Sequence, residues 1–392
     1  MTAASPIVNS QPCTDGFSKG LAGVVADETA VSQVQGEVGQ LIYRGIPIQQ
    51  LAYRSSFEEM SAFLLRGTLP RLDELILISV AFQGSRELPF EVREVIDNAP
   101  KASHSMAVLQ SAIATLSTHL HPIPIARSDE NDMQAVELIS KLSTCVARIS
   151  RVRRGLKPVE PRSDLTHAEN FLYMMRGELP DAGDVRVFET ALILHMDHDF
   201  NASTFAGRTI ASTEAGLCSS VAGAIGALSG PLHGGANERV MEMVEKVGSV
   251  DAASDWVKST LAAKGKVPGF GHRVYRTSDP RAEIIRDALE RLVGKTGKRR
   301  EYDILAAVQQ NMIHELGVKN KDYIRENVDF WSGALFKNLG FLNDDFTPIF
   351  AVARVVGWCS HILEMWRDNR IYRPSARYVG PLNAQYVRME ER

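Results

Sequence analysis

GFGHRVYRTSDPR, residues 269 to 281, is the stretch from which the organisation of the chain can be worked out. An apolar pattern with the spacing i, i+3, i+4 and i+7 follows it and predicts a helix. The residues of that pattern are Ile285, Ala288, Leu289 and Leu292. Asp279 suits the N-cap of this helix, and Pro280 suits its first position. We therefore expect His272 in the loop before the helix and Arg281 in its first turn.

Arg281 is poorly matched to that position unless an anion is present. The N-terminus of a helix carries about +0.5 of a charge, so a cation there is disfavoured. Free backbone N–H groups and a guanidinium together suit a carboxylate or a phosphate. Gly269 and Gly271 permit a tight backbone next to His272. These features favour a binding site over an exposed arginine on a solvated helix.

GPLHGGAN, residues 230 to 237, places His233 just before another predicted helix. The helix dipole opposes the charged imidazole there, and a neutral imidazole can donate a hydrogen bond to a carbonyl that is becoming an enolate. A histidine without a role in a glycine-rich turn is the alternative.

Two further segments carry isolated charges among apolar residues. Asp329 lies in NVDFWSG, residues 327 to 333, where poor solvation makes a carboxylate a better base, although it could equally cap a helix. Arg354 interrupts the apolar helical segment FTPIFAVARVVGWCSHILEMW, residues 346 to 366. A buried guanidinium needs an anion, supplied either by the protein or by a ligand.

With these four segments the chain resembles the citrate synthase family over nearly its whole length. The other matching motifs are GQLIYRGIPIQQL (39–51), HSM (104–106), AENFLYMMRGELP (168–180), HMDHDFNASTF (195–205) and Arg373-Pro374. The resemblance implies an all-α fold with a large helical domain from residues 1–234 and 340–392. A smaller helical domain, residues 235–339, would be inserted into it. It also implies a homodimer or higher homo-oligomer with active sites between the domains.

The activity implied by the resemblance is the condensation of acetyl-CoA with oxaloacetate and water to citrate and CoA, the entry step of the tricarboxylic acid cycle. Asp329 would be the base that deprotonates the acetyl methyl group. His233 would donate to the thioester oxygen, and His272 would polarise the oxaloacetate ketone.

The substrate ligands are implied in the same way. Arg281, Arg354 and His198 would bind oxaloacetate, together with Arg373 from the other subunit. Arg276 would meet a phosphate of CoA. Acetyl-CoA is then a co-substrate, and no tightly bound cofactor is expected.

Three positions depart from the family pattern. Glu326 stands where proline is usual, Trp331 where tyrosine or histidine is common, and Met365 where glutamine is frequent. None of them removes a catalytic group, but Glu326 could alter CoA binding or the electrostatics around Asp329.

Two alternative functions remain open. A 2-methylcitrate synthase would use propionyl-CoA, and one methylene is worth only about 1–3 kcal/mol in a pocket. A catalytically silent helical assembly protein belongs to another class. It would have no need to keep His233, His272 and Asp329 together.

Composition and spacing exclude several other functions. His195 and His198 form an HxxH pair on one predicted helical face but lack a third ligand, and the four cysteines form no CxxC pair, so we expect no metal site. A net charge of -3 gives no general attraction to nucleic acid. The basic runs 148–157 and 295–300 are expected to be solvated faces. The first could also attract the phosphates of a nucleotide-like cofactor.

The remaining patterns predict a soluble helical protein. The N-terminus lacks a signal-peptide pattern, no run has about 18 apolar residues, and unpaired cysteines suit a cytoplasmic location. Residues 39–48 indicate one small hairpin, and about fifteen N-terminal residues form a loose tail. Helical spacing occurs in residues 57–65, 91–96, 133–149, 188–195 and 302–316.

Overall fold

The computed structural model describes residues 17–272, 274–321 and 323–392, so the predicted tail and Cys13 lie outside the described residues. Within these ranges the chain forms sixteen α-helices and three short strands, which confirms the predicted all-α fold. The helices are α1 (Ile48–Leu51), α2 (Phe57–Arg66), α3 (Leu72–Gly84), α4 (Phe90–Asp97), α5 (Ser105–Leu116), α6 (Ser128–Arg153), α7 (His167–Arg176), α8 (Ala182–His195), α9 (Ala202–Ala211), α10 (Leu217–Leu228), α11 (Ala236–Val247), α12 (Ala253–Ala262), α13 (Pro280–Thr296), α14 (Arg300–Val318), α15 (Val328–Asn338) and α16 (Phe346–Arg367).

The five segments predicted from helical spacing all lie in helices, namely α2, α4, α6, α8 and α14. The helix predicted from residue 280 is α13, and it begins at Pro280 as expected. The Asp279 side chain accepts a hydrogen bond from the backbone N–H of Arg281, so the predicted N-cap is confirmed. Local sequence therefore specifies the helices that carry the candidate site.

The strands form one small antiparallel sheet in the order β1 (Ser32–Gln35), β2 (Gln40–Tyr43) and β3 (Ile46–Pro47). The pair β2–β3 is the predicted hairpin, whereas β1 was not predicted. Strand β1 has the sequence SQVQ, which has little β signal. Its place in the fold comes from tertiary contacts, because Ser32 is buried and hydrogen-bonded to Asp197.

Helix α16 is the central element, and it packs against α2, α6, α8, α9 and α10. An 18-residue window within Asn343–Arg367 has a mean hydropathy of 1.4, so this segment is long and apolar enough to cross a membrane by length and composition alone. The expectation that no such run exists was therefore wrong by this measure. However, 94% of the apolar window is buried inside the protein, which is the property of a core helix.

Helices α11 to α15 pack largely on one another, through the pairs α13–α15, α11–α15 and α12–α14. They meet the rest of the chain where α13 contacts α8 and α1, and where α11 contacts α16. The division of the chain into a large domain and an inserted domain of residues 235–339 stays a prediction.

The two basic runs and the described cysteines can now be placed in the structure. Both basic runs carry acidic partners: Arg148 pairs with Asp97, and Lys295 pairs with Asp181. The cysteines of the described part, Cys145, Cys218 and Cys359, are free and buried.

Candidate active site

His272 is held by the backbone of its own loop. Its Nδ1 atom accepts hydrogen bonds from the N–H groups of Val274 (3.0 Å) and Tyr275 (3.1 Å). Nδ1 is therefore unprotonated, and a neutral ring carries its proton on Nε2. Burial and the positive charge of Arg281 lower the pKa of His272 to about 4. The ring is thus a neutral donor at neutral pH.

His198 lies beside His272, with the two ring centroids 5.1 Å apart. Its Nε2 atom is 3.3 Å from the hydroxyl of Tyr275. Burial, followed by the charge of Arg281, lowers the pKa of His198 well below its usual value. This ring is also neutral.

The HxxH pair does not lie on one helical face, so that part of the metal interpretation was wrong. Helix α8 ends at His195, and His198 follows it in a turn. The Nδ1–H of His195 donates to the carbonyl of Ala191 (2.7 Å), as in a buried structural histidine. The described ranges contain no group of three or more potential metal ligands.

His233 is oriented by Ser203, at the start of α9. The backbone N–H of Ser203 donates to Nε2 of His233 (3.2 Å), and the Ser203 Oγ lies 2.8 Å from the same atom. The Ser203 Oγ also accepts from the indole N–H of Trp358 (3.1 Å) and lies 2.7 Å from Oδ1 of Asn201. Because Nε2 accepts the backbone N–H, the proton of a neutral ring is on Nδ1. Burial, with a smaller effect of Arg354, lowers the pKa of His233 to about 4.

Arg281, in the first turn of α13, is paired with an anion from the protein itself. Its Nε and Nη2 atoms donate to the two carboxylate oxygens of Asp279 at 3.0 Å and 2.8 Å. Both side chains are buried. Burial alone would lower the pKa of Arg281, but the charge of Asp279 outweighs it and the pKa is raised. The expectation that a ligand must resolve the conflict at this helix end is therefore corrected.

Asp329 lies in the first turn of α15, and Asn327 rather than Asp329 caps that helix. Its half-buried carboxylate has no hydrogen-bond partner among the described residues. Burial raises the pKa of Asp329, and the charge of Arg281 opposes this shift. The preceding N–H, from Val328, donates to Asp279 (3.1 Å), so one carboxylate connects Arg281 with the helix of Asp329.

Arg354 is buried without a carboxylate partner among the described residues. Its Nε atom donates to the carbonyl of His195 (2.8 Å), and its guanidinium carbon lies 4.6 Å from the centre of the Phe350 ring. Burial lowers the pKa of Arg354 to about 10, although the charge of Asp197 opposes the shift. An anion from outside the chain fits this environment best.

Six of the eight predicted site residues come together. His198 and His272 are in contact. The charge of Arg281 acts on both rings, that of Arg354 acts on His198 and His233, and both charges act on Asp329. The two others are exposed. Arg276 contacts Gly36 through its backbone N–H, and Arg373 contacts the carbonyl of Pro374.

The sequence interpretation missed three supporting residues. Asp279 was assigned only as a cap, and Ser203 and Tyr275 were given no role although both lie in recognised motifs. A carboxylate two positions before an arginine at a helix start was a usable signal for the Asp279–Arg281 pair. Nothing in the sequence pattern could show that Ser203 would reach His233.

Glu326 connects two loops of the site. It forms an antiparallel bridge with Phe270, and its carboxylate accepts from the amide of Gln309. Trp331 and Met365, the other two departures, are buried in the core.

Comparison with known proteins identifies the family of the chain. The family model for the C-terminal domain of citrate synthase matches residues 20–375. The chain is 40% identical to a citrate synthase of Deinococcus radiodurans, over 96% of this chain and 99% of that protein. It is also 40% identical to a 2-methylcitrate synthase of Mycobacterium tuberculosis, over 97% and 93% respectively.

A solved citrate synthase from Thermoplasma acidophilum, in a ternary complex with carboxymethyl coenzyme A and oxaloacetate, has the same fold. The TM-score is 0.91 at 31% identity, and the match covers 97% of this chain and 100% of that one. The chain belongs to the citrate synthase family.

Proposed function

We propose that the protein is a citrate synthase that condenses acetyl-CoA with oxaloacetate and water, giving citrate and CoA. One observation carries the proposal. His233 and His272 each use one ring nitrogen to accept backbone N–H groups, so each presents its other nitrogen as a neutral donor. Two such donors and a poorly solvated carboxylate are what an enolisation followed by attack on a ketone requires.

Enolisation uses Asp329 and His233. The Asp329 carboxylate takes a proton from the methyl group of acetyl-CoA, and its raised pKa makes it a stronger base than an ordinary aspartate. The Nδ1–H of His233 donates to the thioester oxygen, where negative charge develops. A neutral imidazole suits this role because it stabilises the developing negative charge through a hydrogen bond and keeps its proton.

Carbon–carbon bond formation uses His272. Its Nε2–H donates to the ketone oxygen of oxaloacetate and increases the electrophilicity of the ketone carbon, which the enolate carbon attacks. The resulting alkoxide takes up one proton, equivalent to the one that Asp329 removed, and becomes the hydroxyl group of the citryl thioester. Water then hydrolyses the citryl thioester and releases CoA.

Oxaloacetate carries two carboxylates, and the site has cations for them. Arg354 has no carboxylate partner in the described part of the chain, so its guanidinium is available to one of them. The guanidinium N–H groups of Arg281 that do not donate to Asp279 can donate to an oxaloacetate carboxylate, and His198 adds a further hydrogen bond to the substrate.

The remaining positive charges are assigned to the second subunit and to CoA. Arg373 would reach the oxaloacetate site of a second subunit in a homodimer, and its exposure on an extended C-terminal segment is consistent with this role. Arg276 is exposed and would meet a phosphate of CoA. Acetyl-CoA acts as a co-substrate with no tightly bound cofactor, and we place the enzyme in the cytoplasm.

Thiol release from acetyl-CoA and from propionyl-CoA, each with oxaloacetate, tests the proposal. A higher kcat/KM for acetyl-CoA supports citrate synthase, and a higher value for propionyl-CoA indicates 2-methylcitrate synthase. The M. tuberculosis relative makes the second outcome a specific alternative. Absence of thiol release from both would leave a catalytically silent assembly protein.

A further inference from the structure

The turn of residues 195–199 serves two of the oxaloacetate ligands at once. It carries the His198 side chain, and the carbonyl of its first residue, His195, accepts the hydrogen bond that orients Arg354. Any displacement of this turn would therefore move both ligands. What holds the turn in place is a buried network that the mechanism above does not use.

Asp197 is the centre of that network. Its carboxylate is fully buried, and its Oδ2 atom accepts hydrogen bonds from Ser32 Oγ (2.5 Å) and from Nε2 of His361 (3.0 Å). His361 is also fully buried and comes from α16, two turns after Arg354. Two backbone groups complete the attachment: Asp199 N–H donates to Ser32 Oγ (3.0 Å), and Asp197 N–H donates to the hydroxyl of Tyr43 (3.1 Å).

The backbone of the turn has a shape that the sequence does not favour locally. Asp199 has φ of 54°, in the left-handed region, which costs a non-glycine residue free energy. Gly357 in α16 lies so close that a Cβ atom there would overlap the carbonyl oxygen of Met196 and meet Asp197 Oδ1. The turn is thus held by tertiary contacts with β1, β2 and α16.

The negative charge of Asp197 also stabilises the positive charge of Arg354, although the two side chains do not form an ion pair. Asp197 is the carboxylate with the largest favourable effect on Arg354, yet the two form no ion pair. The carboxylate accepts from Ser32 and His361 instead. The guanidinium is therefore partly compensated and still available to a ligand.

We propose that Asp197 and His361 are positioning residues for oxaloacetate: their buried pair fixes the 195–199 turn and thereby sets the positions of His198 and Arg354. The inference rests on the proposed function of the site. Neither residue touches the substrate. Their effect should therefore appear in the affinity for oxaloacetate and not in that for acetyl-CoA.

The test compares His361→Leu, His361→Gln and Asp197→Asn by steady-state kinetics and by calorimetric titration with oxaloacetate. Loss of the His361 donor or of the Asp197 charge should raise the KM for oxaloacetate about tenfold or more, since small misplacements of ligands have effects of that size. The KM for acetyl-CoA should stay within about threefold. The glutamine at position 361 keeps an N–H donor for Asp197 and should restore most of the oxaloacetate affinity.

His167→Leu is the matched control. His167 is another buried histidine, bonded to Ser143 Oγ at 2.8 Å and stacked on Phe57, but it lies among α2, α3 and α6. Its loss should reduce the stability of the fold and leave the KM for oxaloacetate unchanged. An equal rise of that KM in His167→Leu would show a general softening of the core and would overturn the inference.

Two further outcomes are decisive. If His361→Leu does not fold, Gly357→Ala takes its place: it should raise the KM for oxaloacetate by pushing on the turn. Wild-type oxaloacetate affinity in folded Asp197→Asn and Gly357→Ala would overturn the inference while the proposed function stands. A wild-type protein that neither binds oxaloacetate nor releases thiol would refute the proposed function first and the inference with it.

Discussion

Two buried arginines of the site have opposite environments. Arg281, at the start of α13, forms two hydrogen bonds with the carboxylate of Asp279. Arg354, in the middle of α16, donates to a backbone carbonyl and lies over an aromatic ring, and it has no carboxylate partner among the described residues. The first cation has its anion within the protein, whereas we propose that a substrate carboxylate pairs with the second. Burial of a charge therefore does not identify a ligand site until its partner is known.

The charges of both arginines act on Asp329. Replacement of Asp329 should reduce catalysis without reducing the binding of oxaloacetate. Asp329→Ala should lower kcat by about 10²- to 10⁴-fold, the usual contribution of a general base. Oxaloacetate binding should be largely intact because the two arginines remain. Turnover and calorimetry on the same preparation measure both effects. Near-normal turnover would mean that Asp329 is not the base.

Replacement of Arg281 should be costly for the fold. Arg281→Leu leaves the Asp279 carboxylate buried without its cation, which typically costs about 3–5 kcal/mol of unfolding free energy. Urea denaturation measures this loss. Adding Asp279→Asn should recover part of it, because the uncompensated charge is then gone. A fully stable Arg281→Leu protein would show that Asp279 has another cation.

The acid limb of the pH–rate profile should not arise from histidine titration near the ordinary pKa of 6.5. His233 and His272 have pKa values of about 4, so both stay neutral down to that pH. Burial raises the pKa of Asp329 above 3.8, and activity should fall about tenfold per pH unit below that raised value. A pH–rate profile tests this. An acid limb near the ordinary histidine pKa of 6.5 that persists in Asp329→Glu would contradict it.

The same histidines predict the sign of the stability change with pH. Their pKa values in the folded protein lie below the unfolded value of 6.5, so the unfolded chain binds protons first as the pH falls. Their contribution to stability is complete above pH 6.5 and is lost as the pH falls towards about 4. Urea denaturation at several pH values measures this loss of unfolding free energy.

Replacement of Arg354 should have the smallest effect on the fold. Arg354→Leu removes one hydrogen bond to a backbone carbonyl but also removes a buried charge without a carboxylate partner. These two changes offset each other, and we expect the unfolding free energy to stay within about 1–2 kcal/mol of wild type. A loss as large as that of Arg281→Leu would mean that Arg354 stabilises the fold through a protein anion.

Sequence reasoning predicted the helices and named candidate site residues that the fold brings together, but it did not predict the partners of their charged groups. The apolar spacing after Pro280 and around Arg354 is local information, and it predicted α13 and α16 correctly. The contact of Ser203 with His233 and that of Ser32 with Asp197 join residues 30 and 165 positions apart. Only the tertiary structure brings such residues together. The same limit explains why Arg281 and Arg354 looked alike in sequence.

The most direct test of the account is calorimetric titration of wild-type and Arg354→Leu protein with oxaloacetate, with unfolding measured in parallel. We expect the variant to be folded and to bind oxaloacetate about a hundredfold more weakly, a loss of about 2.7 kcal/mol, in the range for hydrogen bonds to a charged group. Equal affinity of the two proteins would contradict the claim that Arg354 is held for a substrate carboxylate.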